Sequence, residues 1–175
     1  ITALAAAVEV LDSRRGELPE RSQQALDVVV SQVRRFDHMV MDLLELSRID
    51  AGSSELHRED VDPRDLAPRI AQRYGFAEVP VEVADDVPPT VRLDKLRFER
   101  VIANLLENAR EHGGGPIRVS LAVRGRGGMM LAVDDAGPGV ARGERTRIFE
   151  RFARGSAARH RVGTGLGLAL VAEHA

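Results

Sequence analysis

The sequence contains no cysteine and no tryptophan. Neither a disulfide framework nor a thiolate metal site can therefore be built. Aromatic residues make up only 3% of the 175 residues, so the core has to be assembled from Ala, Val, Leu and Ile. Lys95 is the one lysine among 25 basic residues. No apolar run approaches the ~20 residues of a membrane-spanning helix, and no signal peptide is recognisable. A net charge of −2 argues against a general polyanion binder, and no nucleic-acid partner is expected. The hydrophobic fraction of 43% is that of a globular chain rather than a disordered one. The length suits one or two small domains. Ile1 opens directly into a helical pattern without a capping residue, and Ala175 ends inside another, so the sequence reads as a piece of a longer protein.

What is present begins with helices. Ile1, Leu4, Val8 and Leu11 follow a 3-4-3 spacing. Gly16 and Pro19 break it, and Arg15 to Glu20 reads as a polar loop. Leu26, Val29, Val33, Phe36, Val40 and Leu43 then repeat with alternating spacings of three and four, a seam of a and d positions. Such a seam must be buried against other helices. Two helices joined by a short loop give an antiparallel hairpin, and two hairpins give a four-helix bundle. An ordinary intramolecular hairpin would use the same pattern.

Gly52, Ser53 and Ser54 end the second helix and open a linker over 53–62. Beyond it the pattern alternates between helix and strand. Pro63 to Tyr74 reads as a helix with Asp62 as its cap and Pro63 at the first helical position. Val79, Val81 and Val83 alternate as in a strand. Leu93 to His112 reads as a helix with Leu96, Val101, Leu105 and Ala109 near one face. Ile117 to Val123 and Met129 to Val133 read as a hairpin turning at Arg124 to Gly128. A last helix starts near Gly165. The expected fold class is α+β: a helical hairpin, half of a dimeric four-helix bundle, over 1–52, then an α/β sandwich over 63–175 with a mixed sheet covered by helices on one face.

Four motifs in the second part carry chemistry. Asn104, Asn108 and His112 lie four residues apart and share a helix face. Amide oxygens there could ligate a hard cation beside phosphates, although a solvated polar face would look the same. Asp135-Ala-Gly137-Pro-Gly139 follows a strand. Its carboxylate could accept a hydrogen bond from an exocyclic amine, and its glycines let backbone approach a ligand. An Asp-Gly turn is also common for purely local reasons. Ile148-Phe149-Glu-Arg-Phe152 leads into a basic stretch ending at Arg161. Gly163-Thr164-Gly165-Leu166-Gly167 opens the last helix, whose free N–H groups and dipole favour phosphate. It is neither a P-loop, since no Lys follows, nor a Rossmann fingerprint, since no strong strand precedes it.

In this order the four motifs resemble the N, G1, F and G2 boxes of sensor histidine kinases, members of the wider group of gyrase-like, chaperone and mismatch-repair ATPases. Asp42-Leu-Leu-Glu-Leu-Ser-Arg-Ile-Asp-Ala-Gly52 resembles the end of the second helix of the dimerisation and histidine-phosphotransfer domain. Ile1 to Leu4 resembles the residues that directly follow the phosphoacceptor motif.

The resemblance implies ATP and Mg²⁺ as cofactors. Asp135 would hold the adenine amino group, with Gly137 and Gly139 letting the loop close on the base. Asn108, with Asn104 nearby, would coordinate Mg²⁺. Gly163, Gly165 and Gly167, with Thr164 and Leu166 between them, would cradle phosphate. Phe149 and Phe152 would pack the following segment against the domain, and Arg154 and Arg159 would reach phosphate or the other domain. His112 would line the pocket. The implied partners are a response-regulator receiver domain and a second copy of the chain through the hairpin. Membrane attachment would come only through segments before Ile1, with this part in the cytoplasm.

Two departures stand out. The phosphoacceptor His would precede Ile1, so residues 1–175 would bind Mg-ATP without autophosphorylating. Glu111 stands where the family often has a Lys touching phosphate, and a carboxylate turned inward would repel phosphate. Either Glu111 points away, or Arg110 or an Arg after Phe152 supplies the charge. Three other readings remain: an anti-sigma-type serine kinase, which lacks the hairpin; an ATP-driven clamp; and a nucleotide-binding dimerisation module without catalysis.

Overall fold

The computed structural model describes residues 2–53, 55–125, 128–153 and 164–175. It divides into two compact units, Ile1–Asp50 and Ala51–Ala175.

In the first unit α1 (Thr2–Ser13) and α2 (Glu20–Asp50) form the expected hairpin. The loop between them is a single 3-10 turn, Arg15–Glu17. It is held by an ion pair from Arg15 to Asp27 at 2.7 Å and by the Gln23 amide donating to the Leu18 carbonyl at 2.9 Å. Val8, Leu26 and Val30 are buried together, with Leu18 and Val33 packed against them. The anticipated seam is thus only partly covered within this unit. Val29, Phe36 and Leu43 are 47%, 45% and 51% exposed. Helix α1 meets the Leu26, Val30 and Val33 side of α2, and Val29 lies off that line.

The second unit is built on two sheets. β1 (Arg58–Val61) pairs antiparallel with β3 (Val91–Asp94), Arg58 opposite Asp94. β4 (Pro116–Arg124) lies between β2 (Val81–Val83), which runs parallel to it, and β5 (Gly128–Asp135), which runs antiparallel. Val119 stands opposite Val133 and Leu121 opposite Leu131. This three-stranded sheet is mixed, as expected. Its inward residues Val119 and Leu121 are buried against α3 (Pro63–Arg73) and α4 (Lys95–His112). On the opposite face Arg118 joins Asp134 at 2.7 Å and Glu82 at 3.3 Å.

Helix α3 starts as the sequence requires. The Asp62 carboxylate accepts from the Arg64 N–H at 2.8 Å, and Pro63 needs no amide partner. Arg64 then donates to the carbonyls of Val87 and Ala84, tying α3 to the turn after β2.

Three expectations change. Residues 58–61, expected within the linker, form a strand. Leu93 belongs to β3 rather than to the helix, because Asp94 caps α4 by accepting from the Arg97 N–H at 3.1 Å. The buried face of α4 is Ile102, Ala103, Leu106 and Ala109. Leu96, expected on that face, is 73% exposed, while Val101 and Leu105 are half-buried. The sheet covers the side of α4 opposite the asparagines, so the apolar positions flanking Asn104 and Asn108 see only the partial cover of α5 (Gly167–His174).

Candidate nucleotide site

Helix α4 presents Asn104, Asn108 and His112, all half-buried, on the side away from the sheet. Helix α5 packs on that side through buried Leu166, Ala169, Leu170 and Val171. Gly167 lies directly on Asn104: a Cβ there would come within 3.0 Å of the Asn104 amide oxygen. The first intrahelical bond of α5 runs from the Leu170 N–H to the Leu166 carbonyl. The N–H groups of its first turn therefore have no acceptor inside the helix and form an anion-seeking end. Among the described residues no side chain caps this end. Two motifs whose contacting residues, Asn104 and Gly167, lie 63 apart in sequence thus become neighbours: an amide oxygen suited to a hard cation and a row of donors suited to phosphate.

The third motif closes on the other end of α4. The N–H groups of Gly113 and Gly115 both return to the Ala109 carbonyl, at 2.9 and 3.0 Å, and end the helix. The Ala136 N–H donates to the Gly115 carbonyl at 3.3 Å, fastening the residue after β5 to this turn. Asp135 accepts from the Gly137 N–H at 2.8 Å, a local turn that fixes its carboxylate. Gly137 is needed for close approach, since a Cβ would lie 2.8 Å from the Cα of Gly113. Gly139 is needed for its φ of +74°, with open space around it.

The motif containing Phe149 and Phe152 is held through its backbone. The Phe152 N–H donates to the Gly165 carbonyl at 2.8 Å, with Phe152 itself at a φ of +61°. A Cβ on Gly165 would lie 2.9 Å from the Phe152 carbonyl carbon. Phe149 and Phe152 are 42% and 61% exposed, and the segment they are expected to pack lies outside the described residues. The 3-10 turn Arg147–Phe149 and the bond to Gly165 fix the residues before it. The side chain of Leu166 is fully buried, so it anchors α5, and only its backbone is left for a ligand. Thr164 Oγ1 accepts from the Leu166 N–H at 3.3 Å. Arg154, Arg159 and Gly163 lie outside the described residues.

The Glu111 question narrows. Arg110 pairs with Glu107, and its guanidinium lies 5.6 Å from the centre of the Phe76 ring, on the core side of the domain. It is not positioned to replace a phosphate-binding lysine on the asparagine face. Glu111 lies 3.8 Å from His112 Nε2. Reading the sequence alone missed Gly113; the run Gly113-Gly-Gly115 directly after a helix was the available signal. A separate groove of about 550 Å³, lined by Arg64, Pro68, Gln72, Val79 and Val81 among others, shares no residue with the four motifs.

Both units match known families. Residues 93–175 match the family "Histidine kinase-, DNA gyrase B-, and HSP90-like ATPase", and residues 1–52 match the "His Kinase A (phospho-acceptor) domain". The signal transduction histidine-protein kinase AfsQ2 of Streptomyces coelicolor is 36% identical over 186 residues, covering 100% of this chain and 34% of AfsQ2. The chain spans about a third of the length of the curated relatives it matches. The solved structure of the mycobacterial sensor histidine kinase MprB is 31% identical, with a TM-score of 0.53 over 67% of this chain and 78% of that one. Full-length ShkA, solved in complex with AMPPNP, shares the fold at a TM-score of 0.70 over 99% of this chain and 40% of its own, with 22% identity. With both domain families in the expected order and a relative matched over most of its solved chain, this chain belongs to the sensor histidine kinases of two-component systems.

Proposed function

We propose that the chain is the cytoplasmic catalytic core of a two-component kinase and binds Mg-ATP in its second unit. The observation that carries this reading is the contact of Gly167 with Asn104, which sets the amide face of α4 beside the N-terminus of α5. Asn108, with Asn104, holds Mg²⁺ through its amide oxygen. Gly163, Gly165 and Gly167, with Thr164, offer backbone donors to the phosphates. Asp135 accepts from the adenine amino group, and His112 lines the pocket. Bound Mg-ATP supplies the γ-phosphoryl group, whose transfer depends mainly on positioning and charge neutralisation. The residues of the chain hold and orient the nucleotide.

In the intact protein the acceptor is a His N-terminal to Ile1, followed by an Asp on a response-regulator receiver domain. The exposed seam of Val29, Phe36 and Leu43 takes a second copy of the hairpin, which completes a four-helix bundle. Attachment to a membrane comes from segments outside residues 1–175. The hairpin argues against an anti-sigma-type serine kinase, which has none.

Calorimetry with ADP and ATP, with and without Mg²⁺, tests the reading. Mg²⁺-dependent binding that weakens at least about tenfold in Asp135→Asn, or about 1.4 kcal/mol, is expected from loss of a charge-assisted hydrogen bond. Absence of nucleotide binding by the unaltered chain would sink it.

A further inference from the structure

Three consecutive glycines follow α4, and they are glycine for different reasons. Gly114 and Gly115 have φ of +71° and +111°, conformations that other residues rarely adopt. Gly113 has φ −91° and ψ 6°, which any residue can take. Its requirement is spatial. A Cβ on Gly113 would lie 2.4 Å from Cγ of Asp135, 2.5 Å from its Cβ and 2.8 Å from the Ala109 carbonyl oxygen. Gly113 is itself buried and has no room to retreat. On the other flank, a Cβ on Gly137 would lie 2.9 Å from Asp135 Oδ1. The Asp135 side chain is thus seated between two bare backbones, with one oxygen held by the Gly137 N–H.

We infer that Gly113 is a positioning residue that seats the Asp135 carboxylate and thereby sets the preference of the site for a 6-amino purine over a 6-oxo purine. The inference rests on the reading of Asp135 as the acceptor for the base amine. A carboxylate accepts from an amine only within a narrow range of distance and angle. A methyl group on Gly113 must move Asp135, because the remaining neighbour on that side, the Ala109 carbonyl, belongs to the helix backbone. Displacement would cost the amine contact while leaving the phosphate-binding end, at Asn104 and Gly167, untouched. A 6-oxo purine offers no amine to Asp135 and sets an acceptor oxygen against its carboxylate, so displacing that carboxylate removes no attraction from its binding.

The test compares ADP with inosine diphosphate by calorimetry in Mg²⁺, on the unaltered chain, Gly113→Ala, Asp135→Asn and the double variant. Gly143→Ala, whose added Cβ meets nothing within 4 Å, is the control. In Gly113→Ala the ADP affinity should fall at least about tenfold, while inosine diphosphate should weaken by no more than about threefold. In the Asp135→Asn background, adding Gly113→Ala should have no further effect. Equal loss for both nucleotides, no loss for either, or a full additional loss in the Asp135→Asn background would overturn the inference while leaving the role of Asp135 intact. Unchanged ADP binding in Asp135→Asn alone would remove that role, and the inference with it. If melting shows that Gly113→Ala does not fold, Gly137→Ala crowds the same carboxylate from the other side. It should then show the same selective loss of ADP, and a loss common to both nucleotides would overturn the inference.

Discussion

The backbone N–H of Phe152 donates to the carbonyl of Gly165 at 2.8 Å, and both residues have positive φ, +61° and +72°. This bond joins the backbone on the two sides of residues 154–163. Gly165 tolerates the geometry only because it lacks a Cβ. Gly165→Ala should cost about 1–2 kcal/mol for the left-handed backbone alone, with more from the approach to Phe152. Urea denaturation of the second unit measures it, and an unshifted midpoint would show that the pairing contributes nothing.

Asp94 caps α4 and also accepts from the His57 N–H at 3.0 Å, which ties the start of the asparagine helix to the residue before β1. Asp94→Ala should lower stability by about 1 kcal/mol at neutral pH. Burial opposes ionisation of this carboxyl, but the N–H donors of Arg97 and His57, with the Arg97 guanidinium, outweigh it and hold its pKa below the ordinary 3.8. A depressed pKa means that the contribution is complete above pH 3.8 and disappears as pH falls through the lower folded value. The gap in unfolding free energy between the unaltered chain and Asp94→Ala should therefore persist down to pH 4 and shrink below it. A gap that is equal at all these pH values would count against the capping role.

The orientation of α4 separates two leucines sharply. Leu106 is fully buried among Ile102, Val119 and Leu121, and Leu106→Ala should cost about 2–5 kcal/mol through lost burial and a cavity. Leu96 is exposed, and Leu96→Ala should fall within about 0.5 kcal/mol of the unaltered chain. Equal losses at the two positions would mean that the helix is rotated from the face described.

Phe36 is nearly half exposed in its own hairpin. Phe36→Asp should therefore leave the Val8, Leu26 and Val30 cluster standing while placing a charge in the seam offered to a second copy. Sedimentation at increasing concentration should show weaker self-association with little loss of helical circular dichroism. Association as strong as that of the unaltered chain would exclude Phe36 from the interface.

Much of the fold was legible because its signals are local. Asp62-Pro63 dictated a helix start, and the apolar residues Val119, Leu121 and Val123 of β4 alternate with period two. The short strands β1 and β3 were missed for the converse reason. Four residues carry too little periodicity, and Arg58-Glu-Asp-Val61 has a nearly fully exposed, charged composition that suits a linker equally well. Only pairing of Arg58 with Asp94, far apart in sequence, makes them strands. In the site, residue types and order were readable, whereas which of them become neighbours was not.

The sequence by itself determined the hairpin, the alternation of helices and strands, and the four motifs, since caps, periodicity and glycine runs act within a few residues. Tertiary structure decided which side of α4 meets the sheet, that Gly167 rests on Asn104, and that Asp135 sits between Gly113 and Gly137. Those relations join segments tens of residues apart. They are set by close packing, in which the absence of one methyl group decides whether two backbones can meet.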